Sequence, residues 1–264
     1  MKRLGIFFFY DSDGVVDEYV EVLLKDMVKN LSELCIVVNG FLNGAGFAKF
    51  SAFTDKIIVR ENKGLDVWAY KTALARYGWD NLVKFDEIVL FNHTIMGPVY
   101  PFSEMYSEME RRDIDFWGIT WFHKYPDDPF GTMEYGYIPR HIQSHFMAYR
   151  RSLVESSEFQ NYWDEMPEIT SYEKSIGYHE ASFKKRFEDL GFKSDIYVNT
   201  EELEGYTYQP ILFAPKKLIA EYRCPIFKRR SFFHDYLDVL NQSAGTATCL
   251  LYTSPSPRDR YSNL

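Results

Sequence analysis

The stretch that most limits how this chain can fold spans residues 56–98, KIIVRENKGLDVWAYKTALARYGWDNLVKFDEIVLFNHTIMGP. Ile57, Ile58 and Val59 form a β-branched run that Arg60-Glu61-Asn62-Lys63-Gly64 ends abruptly. Leu65, Trp68, Ala69, Thr72, Ala73 and Leu74 follow at spacings that share one side of a helix. Residues 88–91 form a second apolar run, which stops at Asn92-His93-Thr94. Strand, polar turn, helix, strand, polar turn is the pattern of an open α/β sheet. Two buried strands whose C-terminal ends both open into polar residues make a ligand crevice in such a sheet.

The flanking sequence extends the pattern. Residues 4–10 are continuously apolar, as a strand buried on both faces would be, and Asp11-Ser12-Asp13-Gly14 turns the chain. Residues 15–34 show helical spacing and residues 35–38 a further strand, so the chain opens β-α-β. Right-handed crossovers and a mainly parallel open sheet flanked by helices follow. Residues 39–51 read as a loop or a short helix, 104–111 as a helix and 116–120 as a fifth strand. The aperiodic residues 121–140 read as a long loop of the kind that carries function. Residues 142–149 return to strand, 152–166 to helix, 178–190 to a second helix with Gly191 as its C-cap, and 196–198 to a last strand. Residues 216–230 are basic, with Lys216, Lys217, Arg223, Lys228, Arg229 and Arg230.

Net charge is −8, which disfavours a general nucleic-acid binder. Cys35, Cys224 and Cys249 have neither metal nor disulfide spacing, which fits a reducing compartment. The apolar run after Lys2 and Arg3 ends at Asp11, too short for a signal peptide or a membrane span. A cytoplasmic protein is expected, with peripheral contact at the inner face of the membrane open to it. From Cys249 the chain reads CLLYTSPSPRDRYSNL, which resembles the conceptual translation of a transposon-type sequencing adapter. Residues 249–264 are therefore read as a non-native tail, and the native chain as cut short after residue 245.

Six blocks, RENKGLDVWAYKTAL, FDEIVLFNHTIMGPVYPFSEM, DIDFWGIT, IPRHIQSHFMAYRRSLV, GYHEASFKKRFEDLGFKSDIYV and KKLIAEYRCPIFKRRSF, resemble in order those of the rhamnan synthesis protein F-like glycosyltransferases. The resemblance covers residues 4 to about 240 and implies a single GT-A-like (nucleotide-diphospho-sugar transferase) domain over residues 1–245. It further implies a dTDP-sugar donor, typically dTDP-L-rhamnose, and transfer to a growing surface or cell-wall polysaccharide on a lipid carrier.

An inverting transfer needs a base for the acceptor hydroxyl, a stabiliser for the departing diphosphate, and in-line positioning. The resemblance makes Glu180, at the start of the 178–190 helix, the base, with Glu173 second. Capping of that helix is the structural alternative for Glu180. Asp66 matches the acid that contacts the nucleotide base or ribose, with Asn62, Lys63 and Gly64 before it; its alternative is also capping. Tyr10, ending the first strand, either stacks on the base or packs in the core. Where the family shows Asn-Asp-Ser or Asn-Asp-Thr, this chain has Asn92, His93 and Thr94. Imidazole is a poor ligand for Mg²⁺, so His93 is a weak candidate for Mn²⁺, a direct contact to the diphosphate, or a plain surface histidine. Lys228 and Arg229 are the cations for the leaving group, with a solvated or lipid-facing basic patch as the alternative. His141, Gln143 and Ser144 fall on the acceptor side, His145 reads as structural, and Trp117 and Trp121 could offer stacking faces. The rival reading, prompted by the carboxylate missing at position 93, is a non-catalytic nucleotide-sugar or carbohydrate-binding part of a polysaccharide-assembly complex.

Overall fold

The computed structural model describes residues 1–232. Its strands are β1 (Arg3–Tyr10), β2 (Glu33–Asn39), β3 (Ile57–Arg60), β4 (Glu87–Asn92), β5 (Ile95–Met96) and β6 (Phe116–Gly118). These are followed by β7 (Trp121–Phe122), β8 (His141–Ile142), β9 (Phe146–Arg150), β10 (Ser194–Ile196) and β11 (Phe227–Lys228). Seven of them form one sheet in the order β10-β6-β9-β4-β1-β2-β3. β1 pairs parallel to β2 and β4, β2 to β3, and β6 to β10, while β9 runs antiparallel to β4 and β6. This is the GT-A-like α/β sheet that the resemblance implied.

The alternation of β1 explains the layers. Phe7 and Phe9 join one core with Ile36, Val38, Val89 and Phe91, beneath the helices Glu18–Met27 and Phe102–Met109. Leu4, Ile6 and Phe8 join the other with Val37, Ile88 and Leu90, beneath Leu65–Tyr77, Ser157–Asp164 and Ala181–Asp189. With both faces covered, the central strands read as unbroken apolar runs rather than alternating ones. At their N-terminal edge a fully buried Glu87 on β4 ties together four consecutive strands of the sheet, β6, β9, β4 and β1. It accepts from Arg3 Nε at 2.7 Å and from the indole of Trp117 at 2.8 Å, and forms an ion pair with Arg150 at 2.7 Å.

The chain winds outward from β1 through β2 to β3, then returns to the far side of β1 as β4. The C-terminal ends of β1 and β4 therefore flank the point where the winding reverses, where open α/β sheets bind ligands. β3 corrects one expectation: it is an edge strand with Val59 about half exposed, not a buried one, because only β2 pairs with it.

Three predicted elements are divided. The 142–149 strand becomes β8 and β9, separated by a turn at residues 143–145. The 152–166 helix breaks into Arg151–Val154 and Ser157–Asp164, because Ser156 Oγ caps the second piece by accepting from Phe159 N at 3.2 Å. The 178–190 helix begins at Ala181, preceded by a π-helical turn, Ile176–Glu180, and a short helix, Tyr172–Ser175. Gly191 has φ +95°, as its C-cap reading requires. Among the described residues no helix is long and apolar enough to cross a membrane. The expected end of the domain at residue 245 and the tail at 249–264 lie outside the described residues.

Candidate functional site

Asp66 is the second residue of the Leu65–Tyr77 helix, and a strained turn sets its position. Gly64 has φ +72° and Leu65 φ +53°; the latter is an outlier for a bulky side chain. The fully buried Asn39 at the end of β2 donates to Leu65 O at 3.0 Å. Arg60 at the end of β3 donates to Asn39 Oδ1 at 2.7 Å and to Lys63 O at 2.8 Å. Two strand ends thus hold the turn that presents the carboxylate.

From Asp66 a chain of hydrogen bonds crosses the mouth of the sheet. Asn92 Nδ2 donates to Asp66 Oδ2 at 3.2 Å, and Thr94 Oγ1 donates to Asn92 Oδ1 at 2.6 Å. Lys228 Nζ donates to Thr94 Oγ1 at 3.0 Å. Lys228 arrives because β11 pairs antiparallel with β5, immediately past Thr94. Burial, and next the Glu180 carboxylate, raise the Asp66 pKa to about 6 against the pull of Asn92 and Lys228. Burial lowers Lys228 to about 8, partly offset by Glu180 and Asp66. Three ionisable groups from distant parts of the sequence therefore sense one another.

Glu180 forms the opposite wall. Ser144 Oγ donates to its Oε2 at 2.9 Å, and His141 Nε2 lies 3.9 Å from its Oε1. His141 Nδ1 is 2.8 Å from the carbonyl of Pro139, which can only accept, so Nδ1 carries the proton. Burial lowers the pKa of this histidine, so Nε2 is a bare acceptor facing a carboxylate oxygen. A hydroxyl has one proton to donate and so can bond only one of these two acceptors at a time. One expectation fails here. Glu180 ends a π-helical turn within helical structure that begins at Tyr172, so no free helix N-terminus stabilises its charge.

The remaining sequence-predicted residues are distributed around this centre. Tyr10 and Asn62 flank Gly40, at the β2 side of the crevice. Lys63 is exposed and paired with Glu61 at 2.9 Å. The His93 ring is buried between Phe8 and Phe9, and burial pushes its pKa down to about 3. It is therefore not a surface histidine. Arg229 donates its backbone N–H to Thr94 O at 2.9 Å, while its guanidinium lies over the Tyr19 ring. Gln143 is buried and accepts from Thr120 Oγ1 at 3.1 Å. Trp117 is core; Trp121 is buried beneath Arg140 and Lys184.

Two residues were not singled out from sequence. Tyr70, one turn beyond Asp66, is buried, and its phenol pKa is raised by burial and then by Asp66; the four-residue spacing carries that signal. Tyr172, two helical turns before Glu180 and half exposed, lies within electrostatic reach of Glu180 and Asp66. The interruption of the helix conceals that relation in the sequence.

The family's acid position is occupied by the buried His93, and among the described residues no three His, Cys, Asp or Glu side chains are grouped to hold a metal.

Charged side chains thus gather where the winding of an open α/β sheet reverses, the place where such sheets bind ligands. The rhamnan synthesis protein F family matches residues 34–257, and the chain belongs to that family. No curated protein sequence matches it. Among solved structures it is similar to 4-diphosphocytidyl-2C-methyl-D-erythritol synthase from Anaerococcus prevotii, at 11% identity and a TM-score of 0.45. That match covers 74% of this chain and 86% of that one.

Proposed function

We propose that this chain is an inverting glycosyltransferase, specifically a rhamnosyltransferase, that moves a sugar from a dTDP-sugar to a lipid-linked surface or cell-wall polysaccharide. The observation that carries the reading is the meeting of Asp66, Lys228 and Glu180 at the winding reversal, in a chain of this family. Asp66 takes the nucleotide's ribose or base, and Tyr10, Asn62 and Gly64 line the same side. Lys228, held by Thr94, carries the charge of the diphosphate.

The acceptor hydroxyl donates its hydrogen bond to Glu180 Oε1, beside the His141 ring. Glu180 accepts its proton as the oxygen bonds to the anomeric carbon. The bond from that carbon to the diphosphate breaks on the opposite face, and dTDP leaves with the electron pair. Ser144 occupies Oε2, so Oε1 is the oxygen free to take the proton. His93 contributes packing, and no step needs a metal. The reaction takes place in the cytoplasm, at the inner face of the membrane where the lipid carrier presents its saccharide.

The test is dTDP release from dTDP-rhamnose, with and without a rhamnose-containing saccharide, in the presence and absence of EDTA. Acceptor-stimulated release that persists in EDTA is expected. Tight dTDP-sugar binding with no release under any of these conditions, including added Mg²⁺ or Mn²⁺, would establish the non-catalytic binding component instead.

A further inference from the structure

Beside Glu180 lies a second concavity that the reaction scheme leaves unused. It has a volume of about 350 Å³ and is lined by the loop after β7, the approach to β8 and the Ala181–Asp189 helix, with Lys124, Tyr137, Arg140, Lys184, Glu188 and Glu204 in its wall. Two links join it to the catalytic wall. Lys184 follows Glu180 by four residues, one helical turn of roughly 5 Å. Pro139, also in the wall, supplies the carbonyl that fixes the His141 tautomer, and His141 lies within electrostatic reach of both Glu180 and Lys184.

The chemistry of the wall selects a ligand class. Its four cations face three carboxylates, and three of the cations are already matched: Lys184 with Glu188, Lys185 with Asp189 at 2.7 Å, and Arg140 with Glu201 at 3.2 Å. A phosphorylated ligand would meet those carboxylates at close range, which is repulsive. A neutral ligand rich in hydroxyls finds both donors and acceptors. Tyr137 adds an aromatic surface, with Lys124 Nζ 4.5 Å from its ring centre. At about 30 Å³ per water-sized group the volume holds roughly a dozen such groups, the size of one hexose ring with its hydroxyls.

We infer that this concavity is a subsite for the saccharide unit next to the one that receives the transferred sugar, so that the protein recognises an oligosaccharide end rather than a single monosaccharide. The inference rests on the glycosyltransferase reading for its meaning but not for its test. The probes are a neutral rhamnose disaccharide and free rhamnose, titrated by ligand-observed NMR against the wild type, Tyr137→Ala and Glu204→Gln. dTDP binding is measured in parallel by thermal shift.

The disaccharide should bind the wild type more tightly than rhamnose, and each variant should weaken it about fivefold or more. Rhamnose affinity, dTDP binding and melting temperature should be unchanged in both variants. Disaccharide affinity insensitive to both substitutions, or no better than that of rhamnose, overturns the subsite while leaving the transferase reading intact. A disaccharide response at Tyr137 and Glu204 in a protein that does not bind dTDP supports the subsite and removes the transferase reading.

Discussion

At the scale of single residues, the assignment that matters most is Glu180. Glu180→Gln keeps the shape and the hydrogen bond from Ser144 but cannot take a proton. Turnover should fall about 10²-fold or more with the dTDP dissociation constant unchanged, as measured by dTDP release and calorimetry. Unchanged turnover would transfer the role elsewhere. Lys228 carries a second prediction. With its pKa at about 8 in the folded protein and 10.5 as its ordinary value, the folded state binds fewer protons than the unfolded one between those limits. Stability therefore rises with pH across that window. Asp66, raised from 3.8 to about 6, contributes stability below pH 3.8 that is lost as pH rises through 6. Both groups are thus charged, at a cost, between pH 6 and 8. Affinity for dTDP should be highest in that interval and fall by up to about tenfold per pH unit above 8, where binding must first restore the proton on Lys228. Calorimetric titration across pH 6–10 checks this, and Lys228→Met should flatten the upper limb. Asn92 and Thr94 were readable because they end an apolar run, and Lys228 because it belongs to a basic segment. Asp66 and Glu180 were singled out through the family resemblance, since nothing local in KGLDVW or EASFKK announces a crevice. The burial of His93 was hidden because its cover, Phe8 and Phe9, lies more than eighty residues away in the sequence.

At the scale of elements, the turn before the Leu65–Tyr77 helix sets where Asp66 stands. A Cβ on Gly64 would lie 2.4 Å from Trp68 Cβ, and the backbone there has φ +72°. Gly64→Ala should cost about 1–3 kcal/mol and weaken dTDP binding together with stability, read from melting curves and titration. Loss of stability alone would detach this turn from the ligand. The π-helical turn has its own support. Gly177 leaves no room for a side chain against Thr132, and Ser182 Oγ donates to Gly177 O. Such turns insert an extra residue into a helix and cluster at functional sites. Helical periodicity located the segment at 178–190, but it could not register the surplus residue. The split of the 142–149 strand was missed for a related reason. Gln143, Ser144 and His145 are polar, yet none is exposed: Gln143 meets Thr120 and Ser144 meets Glu180 inside the fold.

At the scale of the whole molecule, the sheet is tied at one edge and functional at the other. Glu87 and Asn92 stand at opposite ends of β4, roughly 17 Å apart at about 3.3 Å per residue. Glu87→Ala would leave Arg150 buried without its counter-charge and Arg3 with Glu110 alone. It should cost about 3–5 kcal/mol in a denaturant melt, with dTDP affinity unchanged at temperatures where the protein stays folded. The parallel order of the first four strands could be read from β-α-β repetition, whereas the reversal of β9 could not, because strand direction leaves no mark on side-chain alternation. One consequence follows from the pairing of β11 with β5. Lys228, the ammonium proposed to face the diphosphate, is supplied some thirty residues after the last strand of the main sheet has been made. During synthesis, a nascent chain can thus assemble its scaffold while still lacking the positive charge that would retain a nucleotide. Under the proposed function, the capacity to capture donor then follows completion of the seven-stranded sheet.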